Sequence, residues 1–271
     1  MDIAASQTLM ELYLNVDVFM AVFVRVMGFF IVMPIMSGQN IPVPLRLVFS
    51  IAMALLAFVS NSVTLPAYDP TIWSFGVLLL QEFMIGLILG LVIMMIFSIF
   101  HFVGQLADFQ MGFSMAYVMD PFGGGQMPVT GNFYYLVISM LFIATGALQF
   151  VIGVFFSSFG ELGLGAAFVA DNATLAAVFV EITVSYFRTG FGIALPIVGT
   201  IMVVNFVLGI LVKAVPQMNV FVVGMPIKVI VGLVIVFVSL PFLANAFENI
   251  FIEIVQYMEA MIIWMQPEAA Y

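Results

Sequence analysis

The sequence predicts an all-α, polytopic hydrophobic protein, and three observations carry that reading. Of its 271 residues 65% are hydrophobic, where a soluble domain holds about 45–50% apolar residues. Charged residues make up 7%, against about 25% in soluble proteins. Five Lys+Arg, 14 Asp+Glu and one His cannot coat a soluble globule of this size. Finally, the apolar residues come in continuous runs rather than in alternation, and a bilayer admits only helices or closed barrels. A soluble enzyme and a disordered chain are disfavoured together. The net charge of −9 leaves no basic stretch to follow phosphates, so no nucleic acid is expected as a partner. With no cysteine, disulfides, zinc–thiolate sites, iron–sulfur clusters and thiol catalysis are excluded.

Six apolar stretches are each read as one span of roughly 20 residues: 18–36, 45–60, 75–103, 134–156, 189–211 and 227–247. The N-terminal stretch has no positive n-region and carries Asp2, Glu11 and Asp17. It therefore reads as a retained segment rather than a signal peptide. Residues 37–44, with Pro42 and Pro44, form a tight corner. Residues 61–73, with Pro66 and Pro70, form a loop. A seventh helix is expected inside 160–188, starting near Thr174 behind a cap by Asp171 or Asn172. Pro196 should kink the fifth span. Residues 213–219 then close a turn, and Gly224-Met225-Pro226 opens the sixth span, so 189–247 reads as a helical hairpin. The tail, 248–265, continues as a helix, with Trp264 suited to an interfacial belt. Arg46 flanks the first connection, and Lys213 and Lys228 flank the fifth. For serpentine spans, the positive-inside rule then puts both termini outside the cytoplasm.

Arg25, Glu82, His101 and Asn205 lie inside apolar runs, where a polar group is expensive and marks a functional candidate. Arg25 and Glu82 are read as pairing with each other, as a proton relay, or as contacts to a partner chain. His101 has no companions for a metal site. No GxSxG, HExxH or Walker loop occurs in the sequence, so no enzyme activity, cofactor or metal is expected. Gly86, Gly90, Gly190 and Gly192 offer small surfaces for close helix approach.

Residues 104–133, GQLADFQMGFSMAYVMDPFGGGQMPVTGNF, are too polar and glycine-rich for a span and too apolar for an exposed loop. Met111, Met115 and Met119 recur every fourth residue and share one face if the stretch is helical. Phe109, Phe113, Phe122 and Met127 add large adaptable side chains around Gly123, Gly124 and Gly125. Asp120-Pro121 ends any helix there. The pattern fits a movable stopper, while composition alone, with 21 Met scattered through the chain, favours ordinary core residues beside an ordinary loop.

Two signatures in this chain resemble the FliR/SctT family of type III secretion export-gate subunits. One is Phe109-Gln110-Met111-Gly112-Phe113-Ser114, followed by Asp120-Pro121 and Met127-Pro128. The other is Val215-Pro216-Gln217-Met218-Asn219-Val220-Phe221 with Gly224-Met225-Pro226. The corner at Pro34-Ile35 and Pro42-Val43-Pro44-Leu45-Arg46 fits too. The Gly123–Gly125 run is richer in glycine than the family pattern.

The resemblance implies long kinked helices and hairpins packed in a helical pore assembly. It implies a FliP-like portion over 1–188, with a plug loop around 106–127, and a FliQ-like hairpin with C-terminal helix over 189–271. The implied partners are FliP, FliQ and FlhB, unfolded protein substrates and the membrane. The implied place is the bacterial inner membrane in the flagellar basal body, with much of the assembly on the periplasmic side. By carry-over, the plug residues are Phe109, Met111, Phe113, Met115, Met119, Phe122, Gly123, Gly124, Gly125 and Met127. The hairpin tip, facing the cytoplasmic entrance and partner subunits, is Pro216, Gln217, Met218, Asn219, Gly224 and Pro226. The virulence injectisomes contain an equivalent subunit and are the alternative setting. A small-molecule transporter, the other class considered, should show internal repeats and converging ionisable groups, and neither is evident.

Overall fold

The computed structural model describes residues 15–37, 41–60, 72–113, 128–165, 172–217 and 219–266. Among these residues every regular element is helical. In chain order they are α1 (Val16–Val32), α2 (Pro34–Ser37), α3 (Val43–Ser60), α4 (Ile72–Met111) and α5 (Val129–Ala144). There follow α6 (Ala147–Glu161), α7 (Asn172–Ala214), α8 (Val220–Val238) and α9 (Leu240–Trp264). Among the described residues four helices are long and apolar enough to cross a membrane, or five if α5 and α6 are counted as one broken span.

Three of the six expected spans are broken, each at an identifiable residue. The first ends at Met33, whose ψ of 122° is extended because Pro34 disfavours a helical conformation in the residue before it. Pro34 then starts α2 as its first residue, where its missing N–H is not needed. The run 134–156 breaks at Thr145-Gly146. Thr145 donates its backbone N–H and its hydroxyl to the Leu141 carbonyl, and Gly146 turns the chain at φ +79°, where a Cβ is disfavoured. The run 227–247 breaks at Ser239, two residues before Pro241, which can offer no N–H to the Phe237 carbonyl.

Other runs join or lengthen. The element expected in 160–188 and the span at 189–211 form one 43-residue helix, α7, with Pro196 inside it. Asp171 lies outside the described residues. The helix α8 begins at Val220, so Pro226 sits inside it rather than at its start. At 1.5 Å per residue, the 40 residues of α4 and the 43 of α7 run about 60 Å or more. That is about twice the hydrocarbon thickness of a bilayer.

The chain forms two compact units. The first comprises 1–95, 146–182 and 252–271. In it α1 packs on α4 backbone to backbone. A Cβ at Gly28 would lie 2.5 Å from the Phe83 carbonyl oxygen, and one at Gly90 would lie 2.7 Å from that of Phe29. A Cβ at Gly86 would overlap the Arg25 carbonyl oxygen. This is the small-residue crossing that apolar helices use where burial gives no drive for association. Around it, Phe29 stacks on Phe155 of α6 at 4.1 Å, and Phe30 meets Phe49 of α3 edge-on at 5.1 Å.

The second unit comprises 96–145 and 183–251. Gly104 of α4 touches the backbone of Gly131 at the start of α5. Phe102 packs against Tyr186, Phe187 and Phe191 of α7, and Gly190 leaves room for its ring. The Tyr134 hydroxyl reaches the Ser239 hydroxyl at 2.9 Å. Of the four glycines expected at helix contacts, Gly192 is the exception, with nothing within 4 Å of a Cβ built there.

A side chain at Gly86 must push α1 from α4. Gly86→Val should lower stability in detergent by about 1–3 kcal/mol or more. Gly153→Ala, on an open helix face, should be neutral or stabilising by about 0.5–1 kcal/mol. Thermal unfolding followed by circular dichroism compares the two.

Candidate functional site: a buried charge lock and a clamped segment

The first unit closes around Arg25. A guanidinium keeps its charge in a protein interior and offers five N–H donors, and Arg25 is 0% exposed. Its Nε donates to Glu82 Oε2 at 2.5 Å. One terminal nitrogen donates to the Ser158 carbonyl at 3.2 Å and the other to the Gly163 carbonyl at 2.5 Å. The guanidinium carbon lies 4.5 Å from the centre of the Phe159 ring, a favourable face for a cation. The other oxygen of Glu82, also 0% exposed, accepts from Gly165 N at 2.7 Å.

Three segments meet here: α1, α4, and the end of α6 with the turn after it. Ser158 lies in the last turn of α6, where the helix dipole favours a cation. The turn works because Gly163 and Gly165 adopt φ of +66° and +67°, angles open to glycine. Those angles bring one carbonyl and one N–H onto the ion pair while Leu162 and Leu164 stay buried. The sequence reading placed Arg25 and Glu82 among the candidates but missed Gly163 and Gly165. Their signal was the Glu-Leu-Gly-Leu-Gly run at 161–165, two glycines in alternation with apolar residues just beyond a helix end. Both carboxyl oxygens of Glu82 and all three guanidinium nitrogens of Arg25 are thus engaged within the first unit.

In the second unit, α4 ends in a Schellman motif. Gly112 has φ +91°, Phe113 N donates to the Asp108 carbonyl at 3.0 Å, and Gly112 N donates to the Phe109 carbonyl at 3.3 Å. The helix therefore does not carry the Met111 face on towards Met115. Met111 is fully buried and presses against Gly232 of α8, where a Cβ would collide with its thioether. Phe109 is 71% exposed, and Phe113 is half-buried. Met115, Met119, Phe122, Gly123, Gly124, Gly125 and Met127 lie outside the described residues.

The chain returns at Pro128, whose ring provides no side-chain cap for α5. Asp108 supplies one from α4. Its carboxyl oxygens accept from Thr130 N at 3.3 Å and from the Thr130 hydroxyl at 2.5 Å. This meets the unsatisfied N–H groups of a helix start and pins the two ends of the intervening segment together. Asp108 was another residue the sequence reading passed over. Its trace there is a carboxyl group within an apolar helix and a proline where a capping residue belongs.

The remaining candidates are dispersed. Pro216 and Gln217 form the exposed turn between α7 and α8, and Met218 lies outside the described residues. Asn219 Oδ1 accepts from Phe221 N at 3.1 Å and Val222 N at 3.4 Å, so it caps α8. Gly224 is buried and Pro226 exposed. His101 stacks on Tyr135 at 4.9 Å. Among the described residues no group of three or more His, Cys, Asp or Glu side chains could hold a metal.

Two outcomes follow for the lock and the clamp. Arg25→Met should destabilise the chain by about 3–5 kcal/mol, because Glu82 is left as an uncompensated buried charge. The double change Arg25→Met with Glu82→Leu should cost clearly less than the sum of the single changes. At the clamp, Asp108→Ala should cost about 0.5–2 kcal/mol, and most of that should vanish in a Thr130→Ala background. Denaturation of the four lock variants and the four clamp variants in detergent closes both cycles.

Comparison with known proteins covers both sites. The model of a family described as bacterial export proteins, family 1, matches residues 16–254. Flagellar biosynthetic protein FliR of Bacillus subtilis (strain 168) is 30% identical over 234 residues, 86% of this chain and 90% of that protein. FliR of Aquifex aeolicus (strain VF5) is 30% identical over 231 residues, 84% of this chain and 86% of that protein. FliR of Escherichia coli (strain K12) is 28% identical over 232 residues, 85% of this chain and 87% of that protein. The matched stretch runs from the start of α1 into α9 and holds every residue of the lock and of the clamp. The chain belongs to the bacterial export proteins, family 1.

Proposed function

We propose that this chain is a structural, pore-forming subunit of the flagellar type III secretion export gate. In this reading it assembles with FliP and FliQ, contacts FlhB, and helps pass unfolded flagellar subunits across the bacterial inner membrane at the flagellar basal body. Family membership and the names of the relatives support the flagellar setting. The portion 1–188 takes the FliP-like place and 189–271 the FliQ-like place. Part of the assembly lies on the periplasmic side. No catalytic step is assigned to the chain.

The observation that carries the assembly reading is a length. Exposed apolar residues run along α7 from Val180 through Val184, Phe187, Phe191, Leu195, Met202 and Phe206 to Ile210. Thirty residues of helix rise about 45 Å, and the hydrocarbon layer is about 30 Å thick. Lipid alone would cover such a stripe only at a tilt beyond the usual 0–40°. Neighbouring protein subunits meet the remainder.

Closure falls to the segment that leaves α4 at Gly112 and returns at Pro128. Methionine and phenylalanine side chains seal by packing and by excluding water. Phe109 and Phe113 flank that segment, with Met115, Met119, Phe122, Gly123, Gly124, Gly125 and Met127 inside it. Met111 serves it from behind, by holding the end of α4 on α8. The turn at Pro216, Gln217, Met218 and Asn219 faces partners at the cytoplasmic entrance, with Gly224 and Pro226 behind it.

Co-expression with FliP and FliQ from the same source, followed by native mass spectrometry, tests the assembly. A defined complex with this chain in low copy is expected, and a chain that ignores both would overturn the reading. Deleting Gly123–Gly125, or replacing Met115 and Met119 with Ala, should raise ion leakage across the membrane. Unchanged leakage together with unchanged export would remove the sealing role.

A further inference from the structure

On α7 and α8 the second unit exposes large apolar side chains, among them Leu195, Met202, Phe206, Ile230 and Phe237. The seam between α4 and α5 differs. The two helices run antiparallel there: Asp108 bonds Thr130, Gly104 meets Gly131, and the His101 ring stacks on that of Tyr135 at 4.9 Å. On the open side of this pair, Ser98, His101 and Gln105 recur at i, i+3 and i+7 of α4, and Asn132, Tyr135 and Ser139 do so on α5. Such spacing puts each trio on one helix face, and the stacked rings bring the two faces together. Gln105 and Asn132 are exposed, and the other four are half-buried.

All six side chains carry hydrogen-bonding groups and none carries a fixed charge. The one carboxyl group nearby on either helix, that of Asp108, is buried against Thr130. From Ser98 to Gln105 the strip rises about 10 Å, the reach of about three residues of extended chain. Lipid covers such a strip poorly, because amides facing hydrocarbon cost free energy unless they are bonded. An apolar subunit face covers it no better. Ser139 returns its hydroxyl proton to the Tyr135 carbonyl, but the amides of Gln105 and Asn132 each turn two donors and an acceptor outward. Water satisfies them, and so does a peptide backbone, which presents one N–H and one C=O at every residue except proline.

Position selects the occupant. The strip lies on the two helix ends between which the segment from Gly112 to Pro128 leaves and returns. On the export-gate reading that segment closes the passage, so the surface flanking it meets whatever passes. We propose that this strip lines the passage and contacts the backbone of an unfolded polypeptide in transit. The proposal rests on that reading. Uncharged donors and acceptors suit the task, since they meet groups common to every sequence. Fixed charges would sort cargo by sign, and an apolar patch would retain apolar stretches.

The test uses cells carrying the complete export apparatus with this chain. The photo-crosslinking residue p-benzoylphenylalanine is placed at Gln105, at Asn132 or at Val203, an exposed position of α7. An export substrate with a tightly folded C-terminal domain is arrested in passage, and the cells are irradiated. Substrate adducts are expected at Gln105 and Asn132 and not at Val203. The small variants Gln105→Cys, Asn132→Cys and Val203→Cys guard against a bulky probe that disturbs the fold. The chain has no cysteine of its own, so a water-soluble maleimide reports wetting at each position in the purified complex. Labelling is expected at the first two positions and its loss at the third. Adducts from Gln105 and Asn132 to a neighbouring subunit alone would overturn the proposal, as would labelling at Val203 equal to that on the strip. Arrested substrate held in the complex without adducts on the strip would remove the strip's role and leave the export-gate reading standing. Failure of the complex holding this chain to retain any arrested substrate would remove both.

Discussion

An arginine side chain cannot shed its charge to suit an apolar interior, and moving an ion out of water costs several kcal/mol even after relaxation. With Arg25 wholly buried, the first unit is organised around meeting that cost. Glu82 must face Arg25 from α4, which fixes the rotation of α4 against α1. The glycines at 28, 86 and 90 let the two helices come close enough for the pair to form. The end of α6 must deliver the Ser158 carbonyl, and two left-handed glycines must fold the following turn back over the pair. Each of these features would be a defect in a chain without the buried charge. Apolar contacts alone would let these helices slide, whereas the hydrogen bonds of one guanidinium admit a single register.

The second unit uses weaker devices to a similar end. Its polar contacts are local and paired: a carboxyl group on a helix start, a tyrosine on a serine, an asparagine on the first turn of α8. In lipid such groups find alternative partners in the unfolded state, so each adds about 0.6 kcal/mol on average. They set geometry more than stability. The Schellman stop at Gly112 and the Asp108–Thr130 contact matter because they decide where a helix ends and where the next begins.

Much of this was legible in the sequence. The all-helical class, the hairpin turn at Pro216 and the pairing candidates Arg25 and Glu82 all follow from composition and from polar residues out of place. The helix breaks at Pro34 and Pro241 were not legible. Pro34 and Pro241 divide apolar runs that hydropathy alone reads as continuous, whereas Pro196 and Pro226 sit inside helices that continue. A proline's cost depends on whether surrounding helices can absorb the lost hydrogen bond, and a single sequence does not display that. Gly163, Gly165 and Asp108 stayed hidden for a related reason. Their roles are set by partners 138, 83 and 22 residues away in the chain, and no local period encodes such a separation.

The clamp at Asp108 and Thr130 has an evolutionary consequence. Because the Asp108–Thr130 contact joins the end of α4 to the start of α5, the two helix ends keep their register at one anchored point. Loop-closure entropy grows slowly, so doubling the length of the stretch between them costs only about 0.6 kcal/mol. A change in the length of that stretch therefore leaves the register of the two helix ends in place. The Asp108–Thr130 contact is the mark to look for when matching these two helix ends in a relative.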